Sequence, residues 1–293
     1  MKKIYGTITA IVTPMIYGEV DTLGLNSLIK FQLQQGVDGI VPCGTTGESA
    51  TLSVTEQENV IRQTVRQVDG RVPVIAGAGA NNTAEAIELT SLAENVGADA
   101  VLSVSPYYNR PSQKGIRRHF EEIADKHSIP LVLYNVPSRT GSNIEPETVS
   151  FLANHPNIIG IKEASGDLRQ ISQINQQTPD NFVILSGDDF TCLPTIAIGG
   201  QGVISVVSNV APRQMTEMVR YGLAGNLQIA QKKHEELFGL MAAMFCYPSP
   251  APAKKGLELL NVIQVAEVRL PMTEMESNTI NTLITAMKNL DLI

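Results

Sequence analysis

The sequence predicts an α/β chain folded as a (β/α)8 (TIM) barrel with a C-terminal helical extension. Three observations carry that expectation. Eight short apolar runs recur along the 293 residues. Their starts lie roughly 20 to 35 residues apart, the length of one strand–helix unit. They do not alternate polar with apolar residues, which suits strands covered on both faces of a parallel sheet. An open doubly wound sheet shares the alternation of strands and helices and is the rival architecture.

The runs, in order, are ITAIV (8–12), GIVPCG (39–44), VPVIAG (72–77), AVLSVSP (100–106), PLVLYNVP (130–137), IIGIKEA (158–164), FVILSG (182–187) and GVISVVS (202–208). Helical stretches with start signals separate them. Ser53-Val-Thr-Glu56 opens one like a capping box, and Asn82-Thr-Ala-Glu85 opens the next. The barrel rhythm stops near residue 224. The sequence therefore divides into a barrel over residues 1–224 and helices over 225–293 packed on it. No low-complexity linker lies between them.

Composition narrows the function. With 43% hydrophobic and 17% charged residues the chain is ordinary globular material, not a disordered one. The net charge is −7 and no block of five or more basic residues occurs, so nucleic acid and acidic membrane are poor partners. Cys43, Cys192 and Cys246 are odd in number and lack CxxC spacing, which argues against a disulfide framework and for a reducing compartment. The four histidines form no paired ligand motif, so a structural zinc is not expected. The opening MKKIYGTITAIVTPM imitates a signal peptide, but Thr7, Thr9 and Pro14 interrupt it. It reads as a first buried strand, and a cytoplasmic protein is expected.

In a barrel the chemistry sits where the strands end. Lys162 follows Ile158-Ile-Gly-Ile161. A strand-end lysine ordinarily snorkels to solvent. Held out of water, such an amine loses its proton more readily, attacks a ketone, and makes the resulting iminium an electron sink. Position alone leaves both readings open. Tyr134 ends the preceding strand, as a packed ring or as a proton shuttle. Thr45 and Thr46 lie on a glycine-flanked turn that serves either as a plain turn or as a cradle for a carboxylate. Arg139, in VPSRTG, is a solvated loop residue or a fork for a carboxylate. Tyr107 and Tyr108 are adjacent and cannot both enter one pocket, so one is expected to cross a subunit boundary. Gly77-Ala-Gly79 resembles a dinucleotide fingerprint, but Asn82 occupies the third glycine position. Cys43 reads as a small buried residue and not as a nucleophile.

Together, GTTGES (44–49), PYYNRPSQ (106–113), YNVPSRTG (134–141), IGIKEASGD (159–167) and LSGDD (185–189) resemble the dihydrodipicolinate synthase family of class I pyruvate aldolases. The resemblance runs from GTITAIVTPM (6–15) to RLPM (269–272). YNVPSRTG with GIKEA is its most specific part, whereas GTTGE is shared more widely among pyruvate aldolases.

The resemblance implies a lyase that joins pyruvate to L-aspartate 4-semialdehyde through a lysine Schiff base. The product is 4-hydroxy-tetrahydrodipicolinate, and the step is the first committed one of diaminopimelate and lysine biosynthesis. It implies Lys162 as the Schiff-base residue, Tyr134 as proton donor and acceptor, and Thr45 and Tyr108 as the rest of a relay, with Tyr108 given across a dimer interface. Thr46 and the backbone of Ile204 are implied to hold pyruvate, and Arg139 the aldehyde's carboxylate. A homotetramer built as a dimer of dimers is implied, with neither metal nor organic cofactor. Ala50, Asn81, Glu85 and Tyr107 match the family's allosteric site for L-lysine. Val54 and Gln57 stand where lysine-sensitive members commonly carry histidines, so reduced or absent inhibition is expected.

Overall fold

The computed structural model describes residues 2–293. Strand β1 (Gly6–Ala10) is followed by a small hairpin of β2 (Met15–Ile16) and β3 (Glu19–Val20). Then come β4 (Gly39–Val41), β5 (Ile75–Gly77), β6 (Ala100–Val104), β7 (Leu131–Asn135), β8 (Ile158–Glu163), β9 (Val183–Ser186) and β10 (Gly202–Ser205). The parallel strands run in the order β4-β1-β10-β9-β8-β7-β6-β5. The ends of that order meet. Ile40 bridges Val74 in parallel, and the Gly77 N–H donates to the Pro42 carbonyl at 2.9 Å. The sheet is thus a barrel of eight parallel strands, and the open rival is excluded.

Each predicted run overlaps one barrel strand, although β1 begins two residues ahead of its run and several strands stop early. The run at 39–44 pairs only to Val41 because Pro42 brings no N–H. The run at 202–208 pairs to Ser205, after which the Asp189 carboxylate takes the N–H groups of Val206 and Val207, each at 3.0 Å. The hairpin β2–β3 was not among the expected strands. Its turn residues, Tyr17 and Gly18, both have positive φ.

Strand alternation separates two layers of apolar packing. Ile8, Val41, Ile75, Leu102, Val132, Leu185 and Ile204 fill the lumen with Tyr134. Ile40, Val101, Leu131, Leu133, Ile161 and Ile184 belong to the layer shared with the surrounding helices. Because side chains alternate along a strand, the residue after Ile161 is sent inward.

The capping box at Ser53 is complete: the Glu56 N–H donates to Ser53 Oγ at 3.3 Å and the Ser53 N–H to Glu56 Oε2 at 2.8 Å. The box expected at Asn82 forms only in part. Its side chain accepts from the Ala84 N–H at 3.0 Å, one residue short of Glu85, whose side chain stays exposed. Beyond the last barrel helix (Pro212–Leu223), helices span Leu227–Ala243, Ala251–Leu259 and Ser277–Lys288. Leu237, Leu240, Leu257 and Leu283 from this extension join the same core that backs the strands. Among the described residues, no helix is long and apolar enough to cross a membrane.

Candidate active site

Parallel register places the lysine. Tyr134 of β7 pairs with Lys162 of β8, and Lys162 pairs with Leu185 of β9. Lys162 is 6% exposed and its Nζ lies 4.2 Å from the centroid of the Tyr134 ring. Among the described residues, Nζ joins no salt bridge. The strand-end lysine therefore does not snorkel away from the barrel. It is a buried amine beside a phenol, the pairing that carbinolamine chemistry needs.

Gly187 lies against this lysine. A Cβ there would stand 3.1 Å from Lys162 Cε and Cγ and 2.6 Å from Ala164 Cβ. The glycine keeps the lane of the lysine open, a function that LSGDD (185–189) does not reveal by itself, since the lysine it faces lies on another strand. The false dinucleotide motif has a similar explanation. A Cβ on Gly77 would meet the Cys43 carbonyl oxygen at 2.1 Å, and one on Gly79 the Val104 nitrogen at 2.3 Å. These glycines let neighbouring strand ends approach each other.

Thr45 and Thr46 sit beyond β4. Thr46 is buried and Thr45 exposed. The turn closes on itself through Gly47 N–H to Gly44 O at 3.0 Å and Glu48 N–H to Thr45 O at 3.1 Å. Cys43 is buried, and burial pushes its thiol well above the usual range. That environment opposes thiolate formation, as expected for a packing residue.

Arg139 is exposed on a short helix, Pro137–Thr140, at the mouth. A buried polar network fastens this loop. Asn135 Oδ1 accepts the Ile144 N–H at 3.0 Å, while Asn135 Nδ2 donates to Glu163 Oε2 at 2.9 Å. Gln170 donates to the same oxygen at 2.9 Å, and the Ser165 N–H to Glu163 Oε1 at 2.7 Å. Every listener around Glu163 is a donor, so the carboxylate serves as acceptor, although burial pushes its pKa up. Asp189 and Asp188 are likewise pushed up, chiefly by burial. Arg110 is a cation that sequence reading did not single out: its guanidinium lies over Gly141, the residue that ends the short helix of Arg139.

Ile204 is buried in β10 beside Ile8 and lies in the same lumen cluster as Tyr134. Not all expected residues converge. Tyr108 is 90% exposed with φ of +70°, unlike the buried Tyr134 and Lys162. Asn81 Nδ2 donates to the Tyr107 carbonyl at 3.2 Å, which joins two of the residues matched to the lysine site. Ala50 and Glu85 are exposed. Gln57 is buried, and its Nε2 donates to the carbonyls of Ser49 at 3.1 Å and Leu52 at 3.3 Å.

Comparison with known proteins agrees along nearly the whole chain. Residues 3–290 match the Dihydrodipicolinate synthetase family. A 4-hydroxy-tetrahydrodipicolinate synthase of Desulfotalea psychrophila is 55% identical over 293 residues, covering 100% of this chain and 99% of that protein. The crystal structure of the chloride-inhibited dihydrodipicolinate synthase from Acinetobacter baumannii, complexed with pyruvate, superposes with a TM-score of 0.97 at 40% identity, over 99% of this chain and 100% of that one. The enzyme of Cyanidioschyzon merolae with lysine bound gives a TM-score of 0.96 at 40% identity, over 99% of each chain. Barrel, strand-end lysine and family match coincide, and the chain belongs to the dihydrodipicolinate synthetase family.

Proposed function

We propose that this chain condenses pyruvate with L-aspartate 4-semialdehyde to give 4-hydroxy-tetrahydrodipicolinate, with Lys162 as the Schiff-base residue. The observation that carries the reading is the buried Lys162 amine beside the Tyr134 ring at the C-terminal end of the barrel. The Lys162 amine adds to the ketone of pyruvate, and loss of water leaves an iminium. The iminium acidifies the pyruvate methyl, which loses a proton to Tyr134 and leaves an enamine. The enamine carbon attacks the aldehyde, whose oxygen takes up a proton. The amine of the new adduct then adds to the iminium carbon, closes the ring and expels Lys162.

Tyr134 shuttles protons at the Lys162 nitrogen. Thr45 and Tyr108 complete the relay, and the exposure of Tyr108 supports its donation to a partner subunit within a homotetramer, a dimer of dimers. Thr46 and the Ile204 backbone hold pyruvate, while Arg139 receives the carboxylate of the aldehyde. For L-lysine, the side chain of Gln57 is already engaged by two carbonyls, and Val54 offers no polar group. Both features support weak or absent feedback inhibition, in spite of the neighbouring Asn81, Glu85, Tyr107 and Ala50.

The test is reductive trapping. Incubation with pyruvate and borohydride, followed by peptide mass mapping, is expected to place one adduct on Lys162. An adduct on another lysine, or none, would overturn the proposal. Sister aldolases that act on sugar acids share the lysine and tyrosine. Arg139 favours a second small carboxylate over a polyol chain. Turnover of aspartate 4-semialdehyde, with sugar acids unreactive, is the outcome expected.

A further inference from the structure

The turn bearing Thr45 and Thr46 is held from an unexpected direction. It is bracketed by two non-glycine residues at positive φ, Cys43 at +54° and Glu48 at +57°. L residues keep that conformation only where their surroundings enforce it. The threonine hydroxyls join no hydrogen bond among the described residues, so their placement comes from the backbone of the turn. Thr13 Oγ1 fixes one point by donating to the Gly47 carbonyl at 2.7 Å. The other fixed point is Glu48, whose side chain is turned inward and almost fully buried.

Glu48 meets the C-terminal extension. Its Oε2 accepts the Arg269 N–H at 3.0 Å, and its Oε1 pairs with Lys254 Nζ. Lys254 belongs to the helix Ala251–Leu259 and is fully buried. The same ammonium donates to the Glu267 carbonyl at 2.6 Å. The Arg269 guanidinium donates to Gly18 O at 3.0 Å and Thr51 O at 2.8 Å, and pairs with Glu56. The hairpin β2–β3, the turn and the start of the next helix are thereby tied to one C-terminal segment.

We infer that Glu48 and Lys254 are positioning residues, through which the C-terminal extension holds Thr45 and Thr46 in place at the pyruvate end of the barrel. Stability alone is a poor reason for such a pair. Two charges lose their hydration on burial, and well-packed apolar replacements are often as stable. A fixed direction is what the pair supplies: with Oε1 in the ion pair to Lys254 and Oε2 accepting the Arg269 N–H, Glu48 is left a single arrangement, and Glu48 closes the turn. The inference rests on the proposed roles of Thr45 and Thr46.

The test is the double variant Glu48→Gln with Lys254→Met, which removes both charges and leaves the Arg269 N–H an acceptor. The melting temperature is expected to stay close to that of the unaltered protein. The KM for pyruvate is expected to rise at least about tenfold, with the KM for the aldehyde changed less than about twofold, since small misplacements of substrate-holding groups are felt strongly. Lys254→Arg, which keeps the charge, is expected to recover part of the loss. A folded double variant with pyruvate KM and kcat like the unaltered protein would sink the inference. If the double variant does not fold, hydrogen–deuterium exchange on the unaltered protein decides. Trapped pyruvate is expected to slow exchange in 44–49 and in 251–259 together; slowing confined to 44–49 overturns the inference. Borohydride trapping on the unaltered protein runs alongside. An adduct there with a normal double variant overturns the brace alone, whereas no adduct overturns both readings.

Discussion

The two sides of the barrel mouth hold their functional groups by different means. On one side Tyr134 and Lys162 lie within paired strands, and parallel register sets them next to each other. On the other, Thr45 and Thr46 lie past the end of a three-residue strand. Their turn is fixed by Thr13 and, through its own Glu48, by Lys254 and Arg269, three residues from distant parts of the chain. A ladder positions a side chain through regular backbone pairing and alternation. A brace does so through individual buried contacts. The first kind of placement tolerates changes around it, and the second concentrates its sensitivity in a few residues.

The largest effect that sharpens this contrast is expected on the ladder side. Tyr134→Phe keeps the ring over Lys162 and removes only the hydroxyl. The fold should survive while kcat falls by roughly 10²-fold or more, the scale of a positioned acid–base group. Steady-state kinetics beside a circular dichroism spectrum measures it, and near-normal kcat would remove Tyr134 from the mechanism.

A smaller effect is expected from Gly187→Ala. Its new methyl meets Lys162 Cε and Cγ and Ala164 Cβ, so the lysine must leave its lane. Trapping of pyruvate should slow by roughly tenfold to a hundredfold, as displacements near 1 Å do at reacting centres. Unchanged trapping kinetics would show that the lane is wider than the contacts indicate.

The smallest effect belongs to the rim of the brace. Hydrogen bonding to Arg269 lowers the Glu56 carboxyl from 4.5 to about 2. A lowered carboxyl pKa contributes stability above its unfolded value, and that contribution is lost as pH falls through the folded one. Glu56→Gln should therefore lower the melting temperature at neutral pH, by an amount equivalent to roughly 1 kcal/mol for a partly buried pair still open to solvent screening. The difference should shrink between pH 4.5 and about 2. A difference independent of pH would assign the loss to the helix cap at Ser53 and not to the charge.

Much of the fold was legible because each buried parallel strand must be apolar on both faces. That rule marked all eight runs, and their even spacing implied the crossovers between them. The inward direction of Lys162 follows from the same alternation, since Ile161 before it packs outward. Other features left no local signal. Gly187 looks like any turn glycine until Lys162 lies against it. Gly77 and Gly79 imitate a nucleotide motif until Cys43 and Val104 are seen beside them. The partial box at Asn82 shows the limit at short range: an Asn side chain reaches the second helical N–H as well as the third, and the sequence pattern cannot choose between them.

By itself, then, the sequence determined the order and kind of the elements and the strand ends at which reactive side chains emerge. These depend on local periodicity and on backbone pairing that repeats along each strand. Only the tertiary structure decided that Lys254 of the last helices closes on Glu48 of the turn and that Arg269 joins Glu56 to the hairpin. Contacts of this kind join residues that share no period and no neighbour in the chain. They exist because burial brings charges together that must find partners once water is gone.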